Sequence, residues 1–167
     1  LSPVPLELDR ELSAYAKFRQ EPVSSARSGR ACGEVTSENN RSNVLRFLGY
    51  LNAVHGVQVS NLRLGAVFAS PRLPGITEQF VKHMVNERNT KYASAAKYVL
   101  SIVGIARFTH AAVRKKGGPN ASKLDASALD SLLSLHQQCV QQSRKKDAFA
   151  TASQQIGWIG KSANWPG

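Results

Sequence analysis

Ser94, Lys97 and Ser101 stand three and four residues apart, the spacing that lines side chains along one side of a helix. A cation flanked by two hydroxyls offers an ammonium and two O–H donors to phosphate oxygens, the chemistry by which proteins position themselves on a nucleic-acid backbone. The bland alternative is a solvated helix face, since lysine and serine are mostly exposed in any soluble fold. The triplet Arg114-Lys115-Lys116 carries the same two uses: its charges favour a helix C-terminus, or they grip a phosphate backbone.

These residues need helices to hold them. After the Pro74-Gly75 turn signal, Thr77 is placed to cap a helix bearing Phe80, Val81, Met84 and Val85 and stopping near Asn89. Thr90 offers a second cap. From there Tyr92, Ala95, Val99, Ile102, Val103 and Ala106 draw an apolar stripe down a long helix, with Ser94, Lys97 and Ser101 expected on its exposed side. Earlier, Leu8, Leu12, Tyr15 and Phe18 predict a first helix that ends before Pro22. Residues 21–33 follow as a Ser/Gly/Pro arm whose Arg27 and Arg30 could touch phosphates, or simply sit on a mobile surface loop. A helix starting at Thr36 or Ser37 places Val44, Phe47, Leu48, Leu51 and Val54 inward and Arg41 and Arg46 outward, and Gly56 ends it beside a capping His55. The stretch 57–74 alternates briefly, as a strand would, but Gly65, Pro71 and Pro74 interrupt it, and the reading is a short helical turn over 61–68 that sends Leu62, Val67 and Phe68 to the core. Beyond Gly117-Gly118-Pro119, Asp125 or Ser127 caps a last main helix with Leu129, Leu132, Leu133, His136, Cys139 and Val140 inward. The expectation is an all-α bundle of about five helices: an N-terminal helix and basic arm over 1–33, a helical domain over 34–143, and a tail or linker over 144–167. That tail holds Trp158 and Trp165, which need burial on this domain or on a protein neighbour.

A chain of 167 residues builds one domain, and 42% hydrophobic residues are too many for a disordered one. No apolar run approaches the roughly 18 residues of a membrane span, and no helix pairs a basic face with a bulky aromatic one, so no membrane partner is expected. The net charge of +11 is uneven: residues 72–116 hold nine Lys/Arg against Glu78 and Glu87. A polyanion is the natural partner of such a field. Cys32 and Cys139 form no metal-ligand spacing, so neither a metal site nor a cofactor is expected, and both thiols are expected to stay reduced. The chain begins at Leu1 rather than Met, as a fragment or a processed form would.

The run Lys91-Tyr92-Ala93-Ser94-Ala95-Ala96-Lys97-Tyr98-Val99-Leu100-Ser101-Ile102-Val103-Gly104-Ile105-Ala106-Arg107-Phe108 resembles the last helix of the N-terminal core-binding, SAM-like domain of tyrosine recombinases and phage-type integrases. In that family a Ser/Thr precedes Tyr by four residues, and a hydrophobic ladder then ends in Arg/Lys-Phe, places taken here by Ser94, Tyr98 and Arg107-Phe108. Arg46-Phe47-Leu48-Gly49-Tyr50-Leu51 is similar to a motif of recombinase-like proteins in algae and protists. Over residues 8–113 the resemblance implies an all-helical clamp lying across duplex DNA, with Lys91, Ser94, Lys97, Ser101 and Arg107 on the DNA-facing helix and Arg41 and Arg46 on an earlier one. Such contacts position a partner and carry little base specificity.

The family's catalytic set sits in a second domain, and no His here has Arg three residues later. No Gly-rich phosphate loop, HExxH or GxSxG elbow occurs, and Glu78 and Glu87 do not converge as an acid/base pair. The expectation is a non-enzyme that binds duplex DNA, in the nucleus if a recombinase fragment. The alternative is a subunit of a large ribonucleoprotein such as a mitochondrial ribosome, binding structured RNA and neighbouring proteins.

Overall fold

Proline brackets the first helix, α1 (Leu6–Gln20): Pro5 holds its N-cap position and Pro22 lies just beyond its end. The computed structural model describes residues 1–25, 27, 29–116 and 126–163, with side chains outside 113–116 and 147–163. Five further α-helices follow: α2 (Glu34–His55), α3 (Leu64–Phe68), α4 (Leu73–Asn86), α5 (Tyr92–Lys116) and α6 (Ala126–Ala163). The fold is all-helical, and no strand occurs among the described residues.

Two helix starts lie ahead of the hydroxyls expected to cap them. The N-cap of α2 is Gly33 in extended conformation, ahead of Thr36 and Ser37, and Ser37 is buried within the helix. In α4, Pro74 occupies the first turn, where its missing N–H costs nothing. Thr77 is therefore an interior residue, fully buried, its Oγ1 donating to the Leu73 carbonyl at 2.7 Å. Gly56 ends α2 at φ 67°, as its sequence position indicates, and lets the Val57 N–H reach the Leu51 carbonyl. Instead of capping that end, His55 Nε2 shares a 2.9 Å hydrogen bond with the Tyr50 hydroxyl. A 3-10 turn at Val59–Asn61 precedes α3, and together they drop Leu62, Leu64 and Phe68 into the core, with Val67 half-buried.

α5 is the axis of the molecule, packed against α2, α3, α4 and α6. Its Ala95, Val99, Ile102, Val103, Ile105 and Ala106 are all buried. Around it Phe47 bridges Phe68 and Phe80, with ring centroids 5.7 and 5.2 Å away. Contacts between Asn43 and Ser101 and between Arg46 and Tyr98 show that α2 and α5 run antiparallel. At Gly104 an added Cβ would stand 2.7 Å from the Tyr15 hydroxyl, so glycine leaves room for the tip of the buried Tyr15 ring against α5. Next to this contact Phe108 stacks on Tyr15 and Phe18 at 5.2 and 5.0 Å.

On α6, Leu132 and Cys139 are buried, while Leu129, Leu133, His136 and Val140 are half-buried. Burial pushes the Cys139 thiol up, so it is a packed, protonated side chain. α6 runs on past residue 144, the expected start of a tail or linker, as far as Ala163. The side chain of Trp158, and all of Trp165, lie outside the described residues, as do the Gly-Gly-Pro link and the proposed cap Asp125.

Candidate nucleic-acid interface

The seam between α2 and α5 gathers part of the predicted set and corrects the rest. Arg46 is exposed, and its Nη1 donates to the Tyr98 hydroxyl at 3.0 Å while the guanidinium lies over the Tyr98 ring, 5.0 Å from its centroid. Tyr98 in turn packs on Phe80, and Phe80 on Tyr50. Arg46 is thus an exposed arginine seated on an aromatic ring, with one of its five donors given to the Tyr98 hydroxyl. Lys97, next to Tyr98 in the chain, is exposed, and Ser94 is half-buried.

Ser101 does not belong to an exposed line. It is 5% exposed, and its hydroxyl is enclosed by Asn43 Nδ2 at 3.0 Å, Asn40 Oδ1 at 3.1 Å and the Lys97 carbonyl at 3.0 Å. The buried face of α5 is wider than its apolar stripe, because two asparagines of α2 satisfy a polar residue inside it. The open line of α5 runs instead through Ala93, Lys97, Leu100 and Arg107, at helical spacings of three, four and seven.

Arg41 turns away from the seam toward α1, where it pairs with Asp9 and is only partly exposed. Arg63 makes a similar pair: its Nε and Nη2 donate to Glu11 Oε1 at 3.0 and 2.9 Å, and that contact raises the Arg63 pKa, through the hydrogen bond first and charge second. In the arm, Arg27 is folded back, its Nη1 donating to the Phe18 carbonyl at 2.7 Å, whereas Arg30 is exposed. The side chains of Arg114, Lys115 and Lys116 lie outside the described residues.

Two cations missed by the sequence reading complete the picture. Arg88 follows α4 and lines a groove together with Arg46. Lys146 of α6 places its ammonium 5.1 Å from the centroid of the Tyr92 ring, at the first turn of α5 beside Lys91. Nearness of 88 to 91 in sequence, and the run Arg144-Lys145-Lys146, were the available signals. Asn89, at φ 53°, turns the chain between α4 and α5 so that Thr90 N–H meets the Met84 carbonyl at 2.9 Å. Among the described residues, no carboxylate lies within ion-pair distance of Arg46, Arg88, Lys91, Lys97 or Arg107.

No cluster of three His, Cys, Asp or Glu gathers to hold a metal among the described residues, and none of their helices is long and apolar enough to cross a membrane. No family model, curated protein or solved structure matches the chain.

Proposed function

We propose that this chain acts by binding: a non-catalytic helical domain that holds the phosphate backbone of a nucleic acid across the α2–α5 seam and the α4–α5 corner. One observation carries the reading. The cations facing α1 are neutralised by Asp9, Glu7 and Glu11, whereas Arg46, Arg88, Lys91 and Lys97 have no carboxylate partner among the described residues. Cations without a carboxylate partner, Arg46 and Arg88 lining one groove among them, in a chain with net charge +11 supply the counterion-release term that dominates nucleic-acid affinity. The resemblance of residues 91–108 to the recombinase core-binding helix supports duplex DNA as the partner, as a likeness of sequence pattern; function must still be argued from the site.

The ribonucleoprotein reading is favoured by α6. Its helix continues from Lys146 to Ala163, roughly 25 Å at 1.5 Å per residue, and the sequence there includes Ile156, Trp158 and Ile159, residue types suited to a protein neighbour.

Titration of a labelled duplex and a structured RNA hairpin between about 50 and 200 mM salt tests the proposal. Affinity is expected to fall linearly on logarithmic axes, and binding unchanged across that range would remove the electrostatic basis. Whether the native protein copurifies with DNA or with an RNA particle separates the two readings.

A further inference from the structure

Between α2 and the end of α4 lies a groove of about 540 Å³, within the range of roughly 300–1,000 Å³ that small-ligand sites occupy. Two kinds of surface meet in it. Leu45 and Met84 form apolar wall, and His83 adds a half-buried ring fixed against Tyr50 with centroids 5.1 Å apart. Arg46 and Arg88 line the same groove, neither with a carboxylate in ion-pair range among the described residues. Gly49 lines the groove too, close to Leu1: a Cβ there would stand 3.5 Å from the Leu1 nitrogen.

A phosphate alone has no use for the apolar wall. A duplex, a rod of paired and stacked bases, presents its phosphates at the surface and cannot send a base into a recess without unpairing it. The ligand that uses both surfaces is a planar heterocycle joined to a phosphate: the ring is desolvated against Leu45, Met84 and His83, and the charge is met by two guanidiniums. Arg46 already lies over Tyr98 and donates to its hydroxyl, so it can bond a phosphate or the edge of a base at less further cost in side-chain order.

We propose that this groove receives one unstacked nucleotide of the bound nucleic acid, its base between the apolar wall and His83 and its phosphate on Arg46 and Arg88. The proposal rests on the phosphate-binding reading above and deepens it: the chain distinguishes a strand with a bulged or looped nucleotide from one that is fully paired.

The test compares a fully paired duplex with the same duplex carrying a single-nucleotide bulge, binding each to the full chain. The bulged probe is expected to bind about tenfold tighter, near the lower end of what base stacking supplies. Ala53, exposed on the groove wall, can be enlarged without touching the core, so Ala53→Trp should erase that preference and leave duplex affinity as it was, with helix content checked by circular dichroism. Adenosine monophosphate should compete with the bulged probe and not with the duplex, a readout independent of any variant. Equal binding of the two probes by the unaltered chain, with normal salt dependence, overturns the groove assignment and leaves the backbone-binding reading intact. Salt-independent binding of both, or none, overturns both.

Discussion

Two sides of this bundle carry arginine, and they treat it differently. Toward α1, Arg41 meets Asp9, and Arg63 meets Glu11 and Glu7, while Glu11 also accepts from the Leu64 N–H at the start of α3. Toward the α2–α5 seam, Arg46 rests on an aromatic ring, and Arg88 and Lys97 face solvent. The first arrangement fastens helices together and cancels its own field; the second leaves its field outside. Arg41 and Arg46 share a helix five residues apart, so the difference comes from what each faces across the fold.

That contrast can be broken at its foundation. Phe80 supports both Tyr98 and Tyr50, so Phe80→Ala should lower stability by about 3–5 kcal/mol, measured by denaturant unfolding, and loosen the platform under Arg46. Ser101→Ala comes next: it strands the amide groups of Asn43 and Asn40 at a buried seam and should cost about 1–3 kcal/mol, while Ser101→Thr, which keeps the hydroxyl, should recover part of it. Sharper still is a pair of lysine and arginine truncations. Arg41→Ala should cost about 0.2–1 kcal/mol of stability and leave the salt slope of nucleic-acid binding unchanged. Lys97→Ala should do the reverse, holding stability within about 0.5 kcal/mol and reducing the slope by about one, equally on all sequences. If both variants lowered the slope alike, the two sides would not differ in function.

The smallest effect is alkaline. Burial raises the folded-state pKa of Cys139 above its ordinary 9.0 and of Tyr15 above 10.0; for Tyr15, Arg19 opposes the shift and Cys32 adds to it. A raised pKa means that the neutral form is favoured in the folded state. Each group's contribution is therefore complete below its ordinary value and is lost as pH rises through the folded one. Thermal stability should begin to fall above pH 9, and Cys139→Ala should delay the fall until the tyrosine ionises.

Much of the helical core was legible because spacing is local. Val44, Phe47, Leu48 and Leu51, and the stripe from Ala95 to Ala106, are buried where their periodicity puts them. What escaped depended on distant partners. The asparagines that bury Ser101 lie 58 and 61 residues away in the chain, and Asp9 lies 32 residues from Arg41. Val54, on the inward side by spacing, is 53% exposed because it lines the groove, where α2 has no neighbour to cover it. Thr77 failed as a cap because a hydroxyl inside a helix can bond the carbonyl four residues back, an option that sequence does not distinguish from capping.

Gly104 governs more than its own contact. The Tyr15 hydroxyl fills the space a methyl would need, so any larger side chain there must push the Tyr15 ring from its buried place against Phe108. Were α1 to shift with that ring, Asp9 would part from Arg41 and Glu11 from Arg63, and two guanidiniums now neutralised would face outward.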